Sequence, residues 1–363
     1  MFLFLTIASI IISFAGPVWA TEDVSRAYLY ELVTRANGLR LAETREWQVL
    51  LHYRRNLWGG YTSEQDAPGF FLASDGKVNP QSELAATLSQ FFSDEFVGRS
   101  KQPAQCAFVA RYSFLKERLA FDPERLRPLV CERFNNWLAD FDVEGISLIF
   151  PTGFMNNPSS MFGHTFLRID QKGQTPYTRI LASTINFAAE LPPDAGIEYP
   201  IKGIFGMYPG YFSTIPYYLK VQEYRDIENR DIWEYRLNLT PDQVRRLLMH
   251  AWEMGNATFD YYFFGENCSY HILALLDAAD PAFRLADQFP YYSRMHLRRG
   301  IHSGGAFVEG KQVRAAFKLR LGQRIVVRLP DLPKEGPIPE DIPLDILFED
   351  RSEEHTSELQ SHH

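Results

Sequence analysis

The chain of 363 residues has three cysteines, one long uncharged apolar run and no excess of positive charge. Each scarcity excludes a class. Three cysteines are too few for a disulfide-dense scaffold. The formal net charge of -8 argues against a partner held by phosphate neutralisation, so no nucleic acid is expected. Internal repeats, heptads and collagen-like periods are missing, which excludes fibrous and solenoid architectures. No two histidines have the HExxH spacing, and a catalytic zinc usually needs three protein ligands, so neither a metal nor a cofactor is expected. What is present is globular in balance, with 45% hydrophobic and 23% charged residues. The length allows one large domain or two smaller ones. Aromatic content is the high number, at 28 Phe, 18 Tyr and 6 Trp. A core absorbs most of these; an apolar ligand or a membrane surface would use the rest.

The ends differ from the middle. Residues 1–20 read as a signal peptide. An apolar run from Phe2 to Gly16 precedes Val18 and Ala20, which fit cleavage before Thr21, although no Lys or Arg stands ahead of the run. The run is short for a spanning helix, and an uncleaved anchor is the alternative. At the other end RSEEHTSELQSH resembles a translated sequencing adapter, so residues 351–363 are expected to be non-native. Residues 330–350 are Pro-rich and acidic and read as a linker into a missing C-terminal region.

An odd cysteine count in an exported chain suggests one disulfide and one free thiol. Cys106 and Cys131 share similar contexts, and their bridge would close a loop of roughly 25 residues worth on the order of 3 kcal/mol. That leaves Cys268 unpaired.

Residues 21–142 are patterned as helices, at 24–55, 80–92 and 104–140, with a short strand at Phe70 to Ala73. From Gly145 the texture turns to strand. Ile146 to Phe150, Phe166 to Ile169, Tyr177 to Phe187, Tyr217 to Tyr224 and Asp231 to Leu239 are the expected strands. Thr240-Pro241-Asp242-Gln243 opens a helix with a capping box. A second helix starts at Cys268. The fold class is therefore α+β, with a helical N-terminal region at 21–142 and a strand-rich domain at 143–329.

The chemistry is concentrated at Gly265-Glu266-Asn267-Cys268-Ser269-Tyr270. Asn267 is a good N-cap, which places Cys268 in the first turn, where the positive helix end favours thiolate. A cysteine nucleophile needs a base. His164, in a loop entering a strand, is the first candidate, and His271, one turn beyond Cys268, is a supporting one; His250 reads as structural. Asn186 is the first choice to orient the imidazole, with Glu190 weaker. Glu266 and Asn267 are candidates to support the oxyanion. Phe205, Tyr208, Tyr211 and Phe212, in a turn-rich aromatic segment, and Phe263 and Phe264, ahead of Cys268, are candidates to face lipid. The alternative for the aromatic segment is that it packs under the sheet.

A strand His, a polar residue on the next strand and Asn-Cys at a helix start form an order similar to that of circularly permuted papain-like (NlpC-like) enzymes, among them lecithin:retinol acyltransferase. PSSMFGHTFLRI, NFAAE, YPGYFSTIPYYLKVQEYRDIENRDIWEY and FFGENCSYHILALLD resemble, more closely, the Lnb family of bacterial lipoprotein N-acyltransferases, over roughly residues 21–330. The resemblance implies a permuted papain-like catalytic domain with an antiparallel sheet. It also implies ping-pong acyl transfer: Cys268 takes a fatty acyl group from a phospholipid as a thioester, His164 moves the proton, Asn186 fixes the ring. The acceptor would be the α-amine of the lipidated N-terminal cysteine of a lipoprotein, at the periplasmic face of the inner membrane. Two other readings stay open: a peptidoglycan-directed cysteine amidase or peptidase, and a non-catalytic envelope binding module.

Overall fold

The computed structural model describes residues 18–56, 59–152, 163–190, 202–203, 205–263, 265–288, 304–314, 317 and 324–328. The expected signal run, the PSSMFG loop, Phe264, the 330–350 linker and the 351–363 tail lie wholly or almost wholly outside the described residues. The chain divides into two compact units, Met1–Asp287 and Gln288–His363.

In the first unit the front is helical: α1 (Val18–Gly38), α2 (Arg45–Leu50), α3 (Pro80–Gln90), α4 (Ala104–Ala107), α5 (Val109–Leu119) and α6 (Glu132–Ala139). Two small hairpins interrupt it, β1 (Tyr53–Arg55) with β2 (Tyr61–Ser63) and β3 (Phe96–Val97) with β4 (Gln102–Pro103). Helix α3 starts where Asn79 accepts a hydrogen bond from the Ser82 amide and Pro80 occupies the first turn. The expected strand at Phe70 to Ala73 does not form. The Leu72 and Ala73 amides instead donate to the buried Glu83 carboxylate, which replaces a strand partner. Cys106 and Cys131 are joined, with Cα atoms 5.1 Å apart.

A six-stranded antiparallel sheet follows, made of β5 (Val143–Pro151), β6 (Phe166–Gln171), β7 (Ser183–Ala189), β8 (Tyr208–Pro216), β9 (Ile232–Arg236) and β10 (Phe259–Tyr261) in the order β10-β8-β7-β6-β5-β9. The architecture is α+β. Two expected strands are corrected. Residues 179–181 form a 3₁₀ turn, so β7 begins only at Ser183. Tyr217 to Tyr224 is not a strand: Tyr217–Val221 forms α7, and Gln222–Ile227 continues as a π-helical turn. The strand lies just ahead, in the aromatic segment read as a loop, because Tyr208–Pro216 pairs with both β7 and β10.

Period-two alternation divides the sheet into two faces. Leu167, Ile169, Ile185 and Phe187 belong to the main core, with Leu247 and Leu248 of α8 (Pro241–Met254) and Ile272, Leu275 and Leu276 of α9 (Cys268–Ala279). The same core takes in Trp47, Leu84 and Leu115 of the helical front, so front and sheet share one apolar interior. On the opposite face Phe166 packs with Ile149, Tyr217 and Tyr224 under α7 and the π turn. Helix α8 carries the expected capping box between Thr240 and Gln243. The short helix α10 (Leu285–Gln288) follows. In the second unit β11 (Ala306–Val308), β12 (Lys311–Gln312) and β13 (Ile325–Val327) form a three-stranded sheet.

Candidate active site

Cys268 is the first residue of α9 and is buried. Asn267 caps the helix: its Oδ1 accepts from the Tyr270 amide at 3.2 Å, and its Nδ2 donates to the Phe263 carbonyl at 3.1 Å. This closes the Phe263 to Asn267 loop and fixes where the thiol emerges. The expectation of a thiolate favoured by the helix end is corrected. Burial pushes the thiol above its ordinary range, and outweighs the hydrogen bonds from the Thr165 backbone, the Tyr261 hydroxyl and Ser269 that lower it. The thiol at rest is neutral and needs a base.

His164 stands at the entrance to β6, after Gly163, whose φ of +86° sets the turn. Burial pulls its imidazole down to about 3, with further lowering by the positive charges of Lys220 and Arg230. It is therefore neutral at physiological pH, and the same burial and charges weaken it as a base. Its ring lies 5.7 Å from that of Phe166 and 6.0 Å from that of Tyr224. The two candidate halves are joined through their chain neighbours, because Thr165 Oγ1 lies 2.7 Å from Ser269 Oγ.

The other candidates fall in different places. Asn186 is buried in β7, and its Nδ2 donates to Thr184 Oγ1 at 2.7 Å, while its Oδ1 has no hydrogen-bond partner among the described residues. The β6–β7 register puts it opposite Phe166, on the face toward which His164 stands. His271 points into the core, with ring centroids 4.0 Å from Phe187 and 4.4 Å from Phe259, so it braces the helix within an aromatic cluster. Glu266 is pushed up to about 7 by burial and by the negative charges of Glu64, Asp66 and Asp260, partly offset by Arg54. Glu190 is exposed. His250 is structural, as expected, with its Nε2 3.3 Å from that of His52 in the buried core.

The lipid-facing expectation needs correction for the aromatic segment. Phe205 is 67% exposed, but Tyr208 is a buried core residue and Tyr211 and Phe212 are half-buried on β8. Pairing of β8 on both sides turns this segment into sheet. Phe263 is half-buried, and its amide donates to the Gly203 carbonyl at 2.9 Å. Three site residues went unread in the sequence: Thr165, Tyr261 and Tyr224. Thr165 directly follows His164, as Ser269 follows Cys268, and that adjacency was a usable signal. Tyr224 was hidden by the assignment of its segment to a strand.

Residues 133–299 match the Lnb N-terminal periplasmic domain. That segment belongs to the Lnb family. The match begins in α6 and includes both Cys268 and His164. Its description places the Lnb N-terminal domain in the periplasm. Residues 39–118, in the helical front, match a domain of unknown function, DUF7843. Short similarities also reach an uncharacterized RNA pseudouridine synthase of Aquifex aeolicus (strain VF5), 34% identical over 67 residues, 18% of this chain and 21% of that protein. The ribosomal large subunit pseudouridine synthase D of Xanthomonas campestris pv. campestris is 38% identical over 66 residues, 18% of this chain and 20% of its own length. The chain thus spans about a fifth of the length of these curated relatives. No solved structure matches. Among the described residues no helix is long and apolar enough to cross a membrane.

Proposed function

We propose that the Lnb domain is a thiol-dependent N-acyltransferase of permuted papain-like plan, retained at the periplasmic surface of the inner membrane. One observation carries this reading. A single free cysteine is capped at a helix start, and the Thr165–Ser269 bond ties it to the strand that follows a neutral histidine. The Cys268 thiol gives its proton to His164 and attacks an ester carbonyl of a phospholipid. A thioester forms and the lysophospholipid alkoxide leaves, taking the proton back. His164 then assists the α-amine of a diacylglyceryl-modified N-terminal cysteine, which receives the acyl group and restores the thiol. The Thr165 amide and the Tyr261 hydroxyl, which converge on the sulfur, are the groups we assign to charge stabilisation. Asn186 is the proposed orienting group, on the strand next to the one His164 enters. The test is transfer: incubate the protein with phospholipid vesicles and a diacylglyceryl lipopeptide, and weigh the peptide. A gain of one acyl chain, dependent on Cys268, is expected. Cleavage of a glycopeptide instead would favour the amidase reading.

The second unit supports a separate reading. Its first part carries Arg294, Arg298, Arg299, Lys311, Arg314, Lys318, Arg320, Arg324 and Arg328 against Glu309 alone. Lys311, Arg314, Arg324 and Arg328 are exposed on or beside the three-stranded sheet. The whole-chain charge that argues against nucleic acid averages over this segment. From this local excess of positive charge we propose that this unit contacts RNA phosphates. Salt-dependent binding of a structured RNA by the full chain, weakened by Arg314→Ala with Arg324→Ala, is the expected result. Absence of binding at low salt would remove this reading.

A further inference from the structure

Beside the candidate site the chain makes a feature that the reaction outlined above leaves unused. Chain leaves α7 through the π-helical turn Gln222–Ile227, a form that recurs at functional sites. Tyr224 points inward from this turn and is buried, its ring 6.0 Å from that of His164. Two cations lie over the same ring: Lys220 Nζ at 5.4 Å and Arg230 Cζ at 5.0 Å from its centroid. Each cation also meets a carboxylate. Lys220 Nζ is 2.7 Å from Glu223 Oε2, and Arg230 Nη2 is 2.7 Å from Glu228 Oε2.

The result is a rim of alternating sign about one phenol, next to the proposed base. Its cations are close enough to His164 to act on its protonation, as the lowering of that imidazole records. Leu219 and Ile227, on either side of Tyr224 in the chain, are exposed, Ile227 by 75%. A rim of cations alone would suit an anionic ligand. Here every cation has a carboxylate beside it, so the matching ligand carries both signs. A phosphate diester would lie against Lys220 and Arg230, and an ammonium against Glu223 and Glu228. In the Lys220–Glu223 pair the carboxylate is the solvent-side partner, 44% exposed against 15% for Lys220, so it is the group a phosphate would displace.

We propose that Lys220, Glu223, Tyr224, Glu228 and Arg230 form a headgroup subsite for a zwitterionic glycerophospholipid, with Leu219 and Ile227 against the glycerol and chains. This rests on the acyl-transfer reading of Cys268, and names the class of donor that the same site takes.

Binding tests it without turnover. The full chain with Cys268→Ala is titrated with dihexanoylphosphatidylethanolamine below its micelle concentration, with dihexanoylphosphatidylglycerol, and with dihexanoylglycerol, which lacks phosphate. The zwitterionic lipid is expected to bind about tenfold more tightly than the other two. Lys220→Met should remove most of that advantage and leave dihexanoylglycerol unchanged. Glu223→Gln should move the preference toward the anionic lipid. Since Arg230 is buried, Arg230→Lys is the variant used there, with circular dichroism as the check on folding. Equal affinity for all three lipids, or no effect of Lys220→Met on the zwitterionic one, overturns the subsite. Zwitterionic binding without any acyl adduct on the wild-type thiol overturns the transfer reading and leaves the subsite standing.

Discussion

Thr165 Oγ1 and Ser269 Oγ lie 2.7 Å apart, and each belongs to the residue immediately after a proposed catalytic side chain. One comes from the entry to β6 and the other from the first turn of α9, 104 residues later. The bond therefore sets the distance between a strand that carries a histidine and a helix that carries a thiol. Such a bond is modest in stability, about 1 kcal/mol, but its effect on alignment is larger. Thr165→Val keeps the β-branched shape and removes the hydroxyl. It is expected to change unfolding free energy by about 1 kcal/mol or less. It should slow formation of the Cys268 acyl adduct about tenfold. Rapid-quench measurement of adduct formation, beside a urea unfolding curve, separates the two effects. An unchanged rate means that the bond does not align the pair.

Tyr261 makes a similar point about charge. Its hydroxyl reaches the Cys268 sulfur, while its ring stacks 5.8 Å from Phe187. Tyr261→Phe keeps the stack and loses the donor. Loss of one such donor at developing negative charge typically costs about a hundredfold in rate. The expected outcome is a fall of that order in acyl transfer with near-normal thermal unfolding. A variant as fast as the wild type would remove Tyr261 from the mechanism.

His52 and His250 set a pH dependence of stability. Both are buried; burial lowers His52 to about 3 and holds His250 well below the usual histidine range, with Arg111 adding positive charge nearby. In the unfolded chain they take up protons near pH 6.5. The stability these neutral rings contribute is thus fully present above about pH 6.5 and is lost as pH falls toward the folded values. Each such histidine adds a slope of about 1.4 kcal/mol per pH unit below 6.5. His250→Gln removes one, so the loss of stability between pH 6 and pH 4.5 should become shallower by about that amount. Urea unfolding across this range checks it; identical slopes in the two proteins would rule the account out.

Much of the site was legible because local rules governed it. Asn267 ahead of an apolar helical run is a cap wherever it occurs, and the structure uses it as one. Thr240, Pro241 and Gln243 formed the capping box for the same reason. The Cys106–Cys131 bridge followed from count and context. Failures came where tertiary pairing decided. Tyr208–Pro216 reads as a turn by its Pro and Gly, yet strands on both sides hold it in the sheet. Tyr217 to Tyr224 has the aromatic and β-branched content of a strand, but its Tyr217 and Tyr224 rings are needed on one face, against Phe166. That demand produces a helix with a π turn. The thiol was misread for an energetic reason: the helix end was weighed and the burial was not. The buried Arg111, between Glu83 and Glu253, also left no trace in local pattern, because its partners are 28 and 142 residues away.

The central claim is that Cys268 carries an acyl group. The full chain is incubated with phospholipid labelled in its fatty acyl chains, resolved under denaturing conditions and treated with neutral hydroxylamine. The account predicts a labelled, hydroxylamine-sensitive protein, absent in Cys268→Ala and strongly reduced in His164→Ala, with the Cys106–Cys131 disulfide left intact. Wild-type protein that stays unlabelled, or label that persists in Cys268→Ala, would contradict it.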